Sequence, residues 1–165
     1  MLMMPLSDEA KYAVIEHLIE NKLTVATAES CTAGLIAATL GDVPGVSSIF
    51  SEGFITYSNE AKERLLGVPR AMLASYGAVS SQVAQAMAEG VCRKTGATIG
   101  ISATGIAGPG GGTKEKPVGL VYIGVCIDGL TTVRRCEFSG TRGQVRTRTV
   151  LAAFDEIRVR LGILS

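Results

Sequence analysis

The α/β class of this chain is predicted by residues 23–40, which read Leu-Thr-Val-Ala-Thr-Ala-Glu-Ser-Cys-Thr-Ala-Gly-Leu-Ile-Ala-Ala-Thr-Leu. The β-branched and small residues of 23–28 predict a short strand. The polar residues of 29–34 then open a helix that is predicted to run to about Leu40. A strand, a polar turn and a helix in this order form the building unit of α/β proteins.

The rest of the chain continues this alternation. Amphipathic spacing and capping residues predict helices over 7–21, 59–66, 70–76, 82–94 and 142–161, and apolar runs predict strands over 52–57, 97–102, 118–127 and 131–138. Asp128-Gly129 is a hairpin signal between the last two strands. We therefore expect an α/β fold, a three-layer α/β/α sandwich with a mixed, mostly parallel sheet of about five strands.

The composition predicts one domain over residues 1–165. The chain is 47% hydrophobic and 19% charged, with 20 glycines and no tryptophan, and its length suffices for one continuous core. Its four cysteines show no Cys-x-x-Cys spacing, and no signal-peptide pattern is present. Neither a zinc site nor a disulfide framework is indicated, so we expect reduced thiols and a cytoplasmic location.

The charge balance argues against nucleic acid and membrane partners. Sixteen basic and 15 acidic residues give a net charge of +1, so no global field attracts a polyanion. No apolar run approaches the roughly 18 residues that span a bilayer. An anionic ligand must then be bound locally, and seven of the ten arginines lie after residue 130, with only three acidic residues there.

A glycine-rich stretch between two predicted strands is a candidate binding loop. Residues 103–119 contain six glycines and two prolines. Glycine lets backbone N–H groups approach a ligand and proline stiffens the chain, so a phosphate or a similar anion is the expected ligand. A long flexible connection is the alternative, which the flanking strands disfavour.

The turn that follows the first strand is a second candidate site. It lies at the carboxyl end of a strand and the start of a helix, where free N–H groups and the helix dipole favour an anion. Ser30 and Thr32 supply hydroxyl groups, although either could serve only as a helix cap. Glu29 must accept hydrogen bonds from the backbone or from a ligand hydroxyl, because a carboxylate beside a buried strand needs partners.

Residues 47–62 combine serine, tyrosine and lysine side chains. A lysine with a lowered pKa can accept the proton of a serine hydroxyl, and a tyrosine can relay it. Such a set replaces a catalytic histidine, since the one histidine, His17, lies on the polar side of the first helix and near no other motif. Taken separately, each of these residues also fits an exposed surface position.

The last predicted helix begins with two arginines, Arg142 and Arg146. They lie on one face because they are four residues apart. Two guanidinium groups at that place suit a phosphate or a carboxylate. An exposed basic helix face is the alternative interpretation.

Five motifs in order along the chain carry a family resemblance. They are Thr-Ala-Glu-Ser-Cys-Thr at 27–32, Gly-Phe-Ile-Thr-Tyr-Ser-Asn-Glu-Ala-Lys at 53–62, Gly-Ala-Val-Ser at 77–80, Gly-Ile-Ala-Gly-Pro at 105–109 with Lys-Pro-Val-Gly at 116–119, and Phe-Ser-Gly at 138–140. From about Ser7 to Leu161 the chain resembles the C-terminal domain of the competence/damage-inducible protein family CinA. That family includes stand-alone nicotinamide-mononucleotide amidohydrolases.

This resemblance implies hydrolysis of the carboxamide of nicotinamide mononucleotide to nicotinate mononucleotide and ammonia, a step of NAD salvage without metal or cofactor. It places the nucleophile at Ser47, next to Ser48, the general-base lysine at Lys62 and a supporting tyrosine at Tyr57. Contacts to the phosphate and ribose of this small-molecule substrate are implied for Glu29, Ser30, Thr32, Thr104, Gly105, Gly108, Gly110, Arg142 and Arg146.

The chain departs from the family pattern in two places. Ala33 stands where a second glycine is common, and Ala103-Thr104 replaces the more usual pair of small residues. Longer family members carry an additional N-terminal domain, so the length of this chain leads us to expect the stand-alone form. A homodimer is the expected assembly, because symmetric dimers are the commonest.

Two alternatives to the serine-lysine amidohydrolase stay open. The first is a nucleotide-binding regulatory module of the same fold that has lost catalysis. The second is an esterase or amidase whose nucleophile is Ser30. Substitution of Ser30 and of Ser47 by alanine separates this second alternative from the family assignment.

Overall fold

The computed structural model describes residues 7–164, which form six helices, five strands and one short 3₁₀ turn. The helices are α1 (Asp8–Glu20), α2 (Leu35–Gly41), α3 (Asn59–Leu66), α4 (Arg70–Tyr76), α5 (Ser81–Thr95) and α6 (Arg142–Leu161). The strands are β1 (Val25–Glu29), β2 (Phe50–Ile55), β3 (Ile99–Gly105), β4 (Leu120–Ile127) and β5 (Leu130–Glu137), and the 3₁₀ turn spans Val46–Ser48. None of the helices described here is long and apolar enough to cross a bilayer.

The five strands form one mixed sheet in the order β2-β1-β3-β4-β5. β1 pairs in parallel with β2 and β3, whereas β4 pairs antiparallel with β3 and β5. Four strands therefore run in one direction, and β4 runs against them. The prediction of an α/β fold with a mixed, mostly parallel sheet of about five strands is confirmed.

Helices cover both faces of the sheet and bury two hydrophobic clusters. α1, α2 and α6 pack over the larger cluster, which includes Ile36 and Phe154. α3, α4 and α5 cover the smaller one, which includes Leu66. α5 approaches the sheet closely, since a Cβ on Gly124 would lie 2.6 Å from the Ala84 carbonyl oxygen. The sheet is thus the middle layer of three, as the sequence predicts.

Two of the element boundaries that differ from the prediction lie near the candidate site. α2 begins at Leu35 rather than within residues 29–34, because Ala33 and Gly34 have φ values of +48° and +94°, which a right-handed helix does not contain. β3 continues to Gly105 instead of ending at Ser102, because its last residues also pair with β4.

Candidate functional site

A buried lysine, Lys62, lies at the carboxyl ends of β1 and β2. It is the fourth residue of α3, whose N-terminus is capped by the side chain of Ser58. Lys62 is only 1% exposed, and its Nζ lies 3.1 Å from Ser30 Oγ. The same Nζ lies 2.7 Å from the Thr56 carbonyl oxygen and 3.3 Å from that of Tyr57. The structure therefore brings Lys62 together with Ser30.

Ser30 is held by the backbone of the turn after β1. Its N–H donates to the Ala103 carbonyl oxygen at 2.9 Å, and its carbonyl oxygen accepts from the Ala33 N–H at 3.0 Å. The left-handed φ of Ala33 closes this turn. Ser30 is consequently a buried residue whose position is set by backbone hydrogen bonds to β3 and within the turn.

Burial lowers the pKa of Lys62, because desolvation disfavours the ammonium form. No carboxylate forms a salt bridge with Lys62 in the part of the chain that the structure describes. The neighbouring Cys31 thiol is buried as well, and desolvation raises its pKa to about 11, so it is protonated at neutral pH. Lacking a counter-charge, Lys62 lies in surroundings that favour the neutral amine.

The three contacts of Lys62 Nζ suit an ammonium, which donates three hydrogen bonds, and equally suit a neutral amine. Such an amine has two N–H groups and one lone pair. Nζ donates to Ser30 Oγ in the structure; in the neutral amine the carbonyl oxygens of Thr56 and Tyr57 can accept the two N–H groups, and the lone pair can then accept the Ser30 hydroxyl proton. This arrangement can abstract the proton of a serine, which is the first step of nucleophilic catalysis.

Glu29 has a structural task at this turn. Its two carboxylate oxygens accept hydrogen bonds from the N–H groups of Ile36 at 2.8 Å and Ala37 at 3.0 Å. These bonds satisfy the first turn of α2, whose N-cap residue, Gly34, has no side chain to offer. The sequence predicts that this carboxylate accepts hydrogen bonds either from the backbone or from a ligand hydroxyl. The structure shows backbone donors, and the predicted substrate contact of Glu29 gains no support.

Thr32 and Arg146 connect the same turn to α6. A terminal guanidinium nitrogen of Arg146 donates to the Thr32 carbonyl oxygen at 2.9 Å. The Thr32 hydroxyl and the Arg146 Nε are both buried, and neither has a hydrogen-bond partner within residues 7–164. Arg142 and Arg146 therefore do not act as the predicted pair, because Arg146 donates its hydrogen bond to the turn after β1.

Arg142 connects Tyr57 to the glycine loop, residues 106–119. Its guanidinium donates to the Tyr57 hydroxyl at 2.8 Å and to the Gly108 carbonyl oxygen at 2.9 Å. Tyr57 is 56% exposed, and its backbone carbonyl contacts Lys62. Tyr57, Arg142 and the glycine loop therefore lie together beside the Ser30–Lys62 pair.

The other predicted residues of the loop region have different surroundings. Thr104 is 1% exposed and donates its hydroxyl to the Ala78 carbonyl oxygen at 2.8 Å. Gly105 belongs to β3 and pairs with β4. Gly110 is exposed, and a Cβ there would meet no atom within 4 Å. Of these three residues, Gly110 is the one with open space around it.

Ser47 and Ser48 lie at the opposite end of the sheet. Together with Thr24 and residues 95–97 they line a cavity of about 150 Å³ at the start of β1. β1 has five residues, so at about 3.3 Å per residue its two ends lie about 16 Å apart. Ser47 and Ser48 lie near the first end, and Lys62 lies near the second. The predicted pairing of Ser47 with Lys62 is therefore corrected: the serine beside Lys62 is Ser30.

The strand order indicates which serine lies beside Lys62. β1 and β2 are parallel neighbours, and the carboxyl ends of such strands meet at one edge of the sheet. Ser30 and Lys62 both follow those ends, whereas Ser47 precedes β2. The hydrogen bond between Lys62 Nζ and the Thr56 carbonyl oxygen could not be predicted from the sequence, because every residue has a backbone carbonyl group.

Other ionisable groups take no part in this arrangement. His17 is half-buried on α1 and forms no side-chain hydrogen bond with Ser30 or Lys62. Within residues 7–164, no three His, Cys, Asp or Glu side chains group in a way that could hold a metal ion.

Known proteins share both the sequence and the fold. Residues 7–161 match the family model described as the CinA C-terminal domain. Putative competence-damage inducible proteins of Clostridium perfringens (strain ATCC 13124) and Clostridium acetobutylicum are 55% and 57% identical to this chain, over 87% and 86% of it. The chain spans only 35% and 34% of the length of those relatives.

Two solved structures have the same architecture. The competence/damage inducible protein CihA from Agrobacterium tumefaciens is 38% identical, with a TM-score of 0.90 over 98% of this chain and 99% of that chain. A CinA superfamily protein from Klebsiella pneumoniae 700603 is 33% identical, with a TM-score of 0.90 over 94% of this chain and 98% of that chain.

Proposed function

Because the chain belongs to the CinA C-terminal domain family, we propose that it hydrolyses the carboxamide of nicotinamide mononucleotide, with Ser30 as the nucleophile and Lys62 as its base. The products are nicotinate mononucleotide and ammonia. The observation that carries the chemistry is the 3.1 Å contact between Ser30 Oγ and the buried Lys62 Nζ. The choice of substrate comes from the family resemblance.

The reaction proceeds by acyl transfer. Neutral Lys62 accepts the Ser30 proton while Oγ attacks the carboxamide carbon, and the lysine then returns this proton to the departing nitrogen, which leaves as ammonia. The resulting ester on Ser30 is attacked by a water molecule that Lys62 deprotonates. Collapse of the second tetrahedral intermediate releases the carboxylate product and restores the Ser30 hydroxyl.

The negative charge on the carbonyl oxygen requires hydrogen-bond donors. The N–H groups of Cys31 and Thr32 follow Ser30 directly and donate to no carbonyl or carboxylate oxygen within residues 7–164. The Cys31 N–H has only its own thiol as an acceptor within reach, so these two N–H groups beside the nucleophile are the candidate donors to the oxyanion.

The substrate phosphate is assigned to Arg142 and the glycine loop. The Arg142→Ala variant is expected to raise KM about ten- to a hundredfold with little change in kcat, because a charge-assisted contact to a non-reacting group is lost. Initial rates of ammonia release across a substrate titration measure this change. Arg148→Ala is the matched control, since Arg148 is an exposed arginine of the same helix that bonds Ser139. An unchanged KM in the Arg142 variant would contradict the assignment.

Activity is expected to fall as the pH drops through the folded-state pKa of Lys62, because the ammonium has no lone pair. Burial holds this pKa below the ordinary value of 10.5. Between the two pKa values the unfolded chain binds more protons at this residue, so the Lys62 contribution to stability also improves with rising pH. The pH profile of kcat/KM reports the base of the free enzyme. A profile in which kcat/KM does not rise with pH would contradict the role of Lys62 as the base.

The regulatory-module alternative differs in one observable. A silent module binds the nucleotide without turnover, whereas the enzyme releases ammonia from nicotinamide mononucleotide. Calorimetric binding together with an ammonia assay on the mononucleotide, the riboside and free nicotinamide distinguishes the two and ranks the substrates. The homodimer stays a prediction that sedimentation velocity can check.

A further inference from the structure

The guanidinium group of Arg146 contacts the turn that carries Ser30. Its Nε is buried without a partner in the described chain, and a terminal guanidinium nitrogen donates to the Thr32 carbonyl oxygen at 2.9 Å. Its positive charge acts on the Cys31 thiol, where it partly offsets the rise in pKa that burial causes. Arg146 is therefore packed against the turn that carries Ser30.

Two peptide groups connect this guanidinium to the residue after the nucleophile. The Thr32 carbonyl and the Ala33 N–H belong to one peptide group, and the Ala33 N–H donates to the Ser30 carbonyl oxygen at 3.0 Å. The Ser30 carbonyl and the Cys31 N–H belong to the next peptide group. A chain of hydrogen bonds thus runs from Arg146 to the Cys31 N–H.

Hydrogen bonds in such a chain polarise one another. Each bond is strengthened by about 10–30% in condensed-phase estimates, and the effect is larger where water is excluded. A cation at the start of the chain adds a charge-assisted bond, which is stronger than a neutral one. The last donor, the Cys31 N–H, has no carbonyl or carboxylate acceptor in residues 7–164, and its own thiol is the acceptor within reach.

We propose that Arg146 is a positioning residue that orients the Ser30 turn and strengthens the Cys31 N–H as an oxyanion donor. This inference rests on the proposed function of Ser30. It gives Arg146 a role different from the substrate contact that the resemblance implies. The Thr32 carbonyl oxygen also accepts from the Leu35 N–H at 3.1 Å, so the same atom joins α2, α6 and the turn.

Substitution of Arg146 separates the two roles. Arg146→Gln is expected to lower kcat about ten- to a hundredfold with KM within about threefold, because transition-state stabilisation is lost while substrate contacts stay. Arg146→Lys keeps the positive charge and is expected to recover part of kcat. Arg148→Gln should match the parent protein in both constants. A raised KM with unchanged kcat in Arg146→Gln would overturn the proposal and would support the substrate contact that the resemblance implies for Arg146.

A second measurement does not depend on the natural substrate. The rate at which a fluorophosphonate probe labels Ser30, followed by intact mass, also depends on oxyanion donors. We expect slower labelling of Arg146→Gln than of the parent, intermediate labelling of Arg146→Lys, and none of Ser30→Ala. Equal rates in the parent and in Arg146→Gln would overturn the role of Arg146 and leave the proposed function standing. Absence of labelling in the parent, with no ammonia release, would contradict the proposed function itself.

Loss of folding is monitored in the same variants by circular dichroism. If Arg146→Gln unfolds, the comparison of Arg146→Lys with the parent decides the question, because lysine retains a cation at that position. Parent-like kcat and labelling rate in Arg146→Lys, together with a raised KM, would then overturn the proposal.

Discussion

The Ser30→Ala variant is expected to lose at least about a thousandfold in kcat for ammonia release from nicotinamide mononucleotide, because no other hydroxyl can replace a missing nucleophile. Ser30 Oγ is the side-chain oxygen that lies within hydrogen-bond distance of Lys62 Nζ. The substrate should still bind, since the proposed phosphate contacts of Arg142 and the glycine loop do not involve Ser30. Steady-state ammonia release measures the loss, and calorimetry with the substrate measures the retained affinity.

Ser47→Ala and Ser48→Ala are the matched controls for this prediction. Both serines lie in the 3₁₀ turn at the opposite end of the sheet, and both variants should keep kcat within about twofold. Trapping of an acyl adduct by rapid quench and peptide mass analysis would place the ester on Ser30. The reverse pattern, with Ser47→Ala inactive and Ser30→Ala active, would return the nucleophile to Ser47.

The Lys62→Met variant is expected to lower kcat at least about a thousandfold, because a thioether cannot accept the Ser30 proton. Methionine has a similar length, so the volume beside Ser30 is kept. The same change removes a buried amine that has no carboxylate partner in the described residues. Activity and thermal unfolding of one preparation test both consequences.

The stability of Lys62→Met relative to the parent should depend on pH. Below the folded-state pKa of Lys62 the parent must bury an ammonium, which costs free energy, whereas methionine carries no proton. The variant is therefore expected to be more stable than the parent at low pH, and this advantage should shrink as the pH rises toward 10.5. Lys94→Met, on the exposed side of α5, should show no such trend. Full activity in Lys62→Met would require a different base for Ser30.

The local elements of the fold could be predicted because each has a local cause. The bounds predicted for α4 and α6 agree with the structure, since capping residues and helical spacing lie within each segment. The hairpin at Asp128-Gly129 forms as expected, with positive φ at both residues. The late start of α2 could not be predicted in the same way, because Ala33 adopts a left-handed conformation that its own side chain does not favour.

The sequence predicts most residues of the candidate site but not which serine lies beside Lys62. Tyr57, Lys62, Ser30 and Arg142 were all selected from sequence motifs, and the structure brings them into one region. The family resemblance pairs Ser47 with Lys62, whereas the structure places Ser30 beside Lys62. The sequence predicts that Arg142 and Arg146 together suit a phosphate or a carboxylate, yet Arg146 donates a hydrogen bond to the Thr32 carbonyl oxygen.

The amino-acid sequence alone was sufficient for the fold class, the family and the residue types of a serine-lysine site, because these depend on local patterns and motif order. The partner of Lys62 depended on the tertiary structure. Ser30 and Lys62 are 32 residues apart and meet only because β1 and β2 pair in parallel, so that the segments after both strands reach the same edge of the sheet. The pKa of Lys62 likewise depends on burial by the folded chain, which no residue in the sequence specifies by itself.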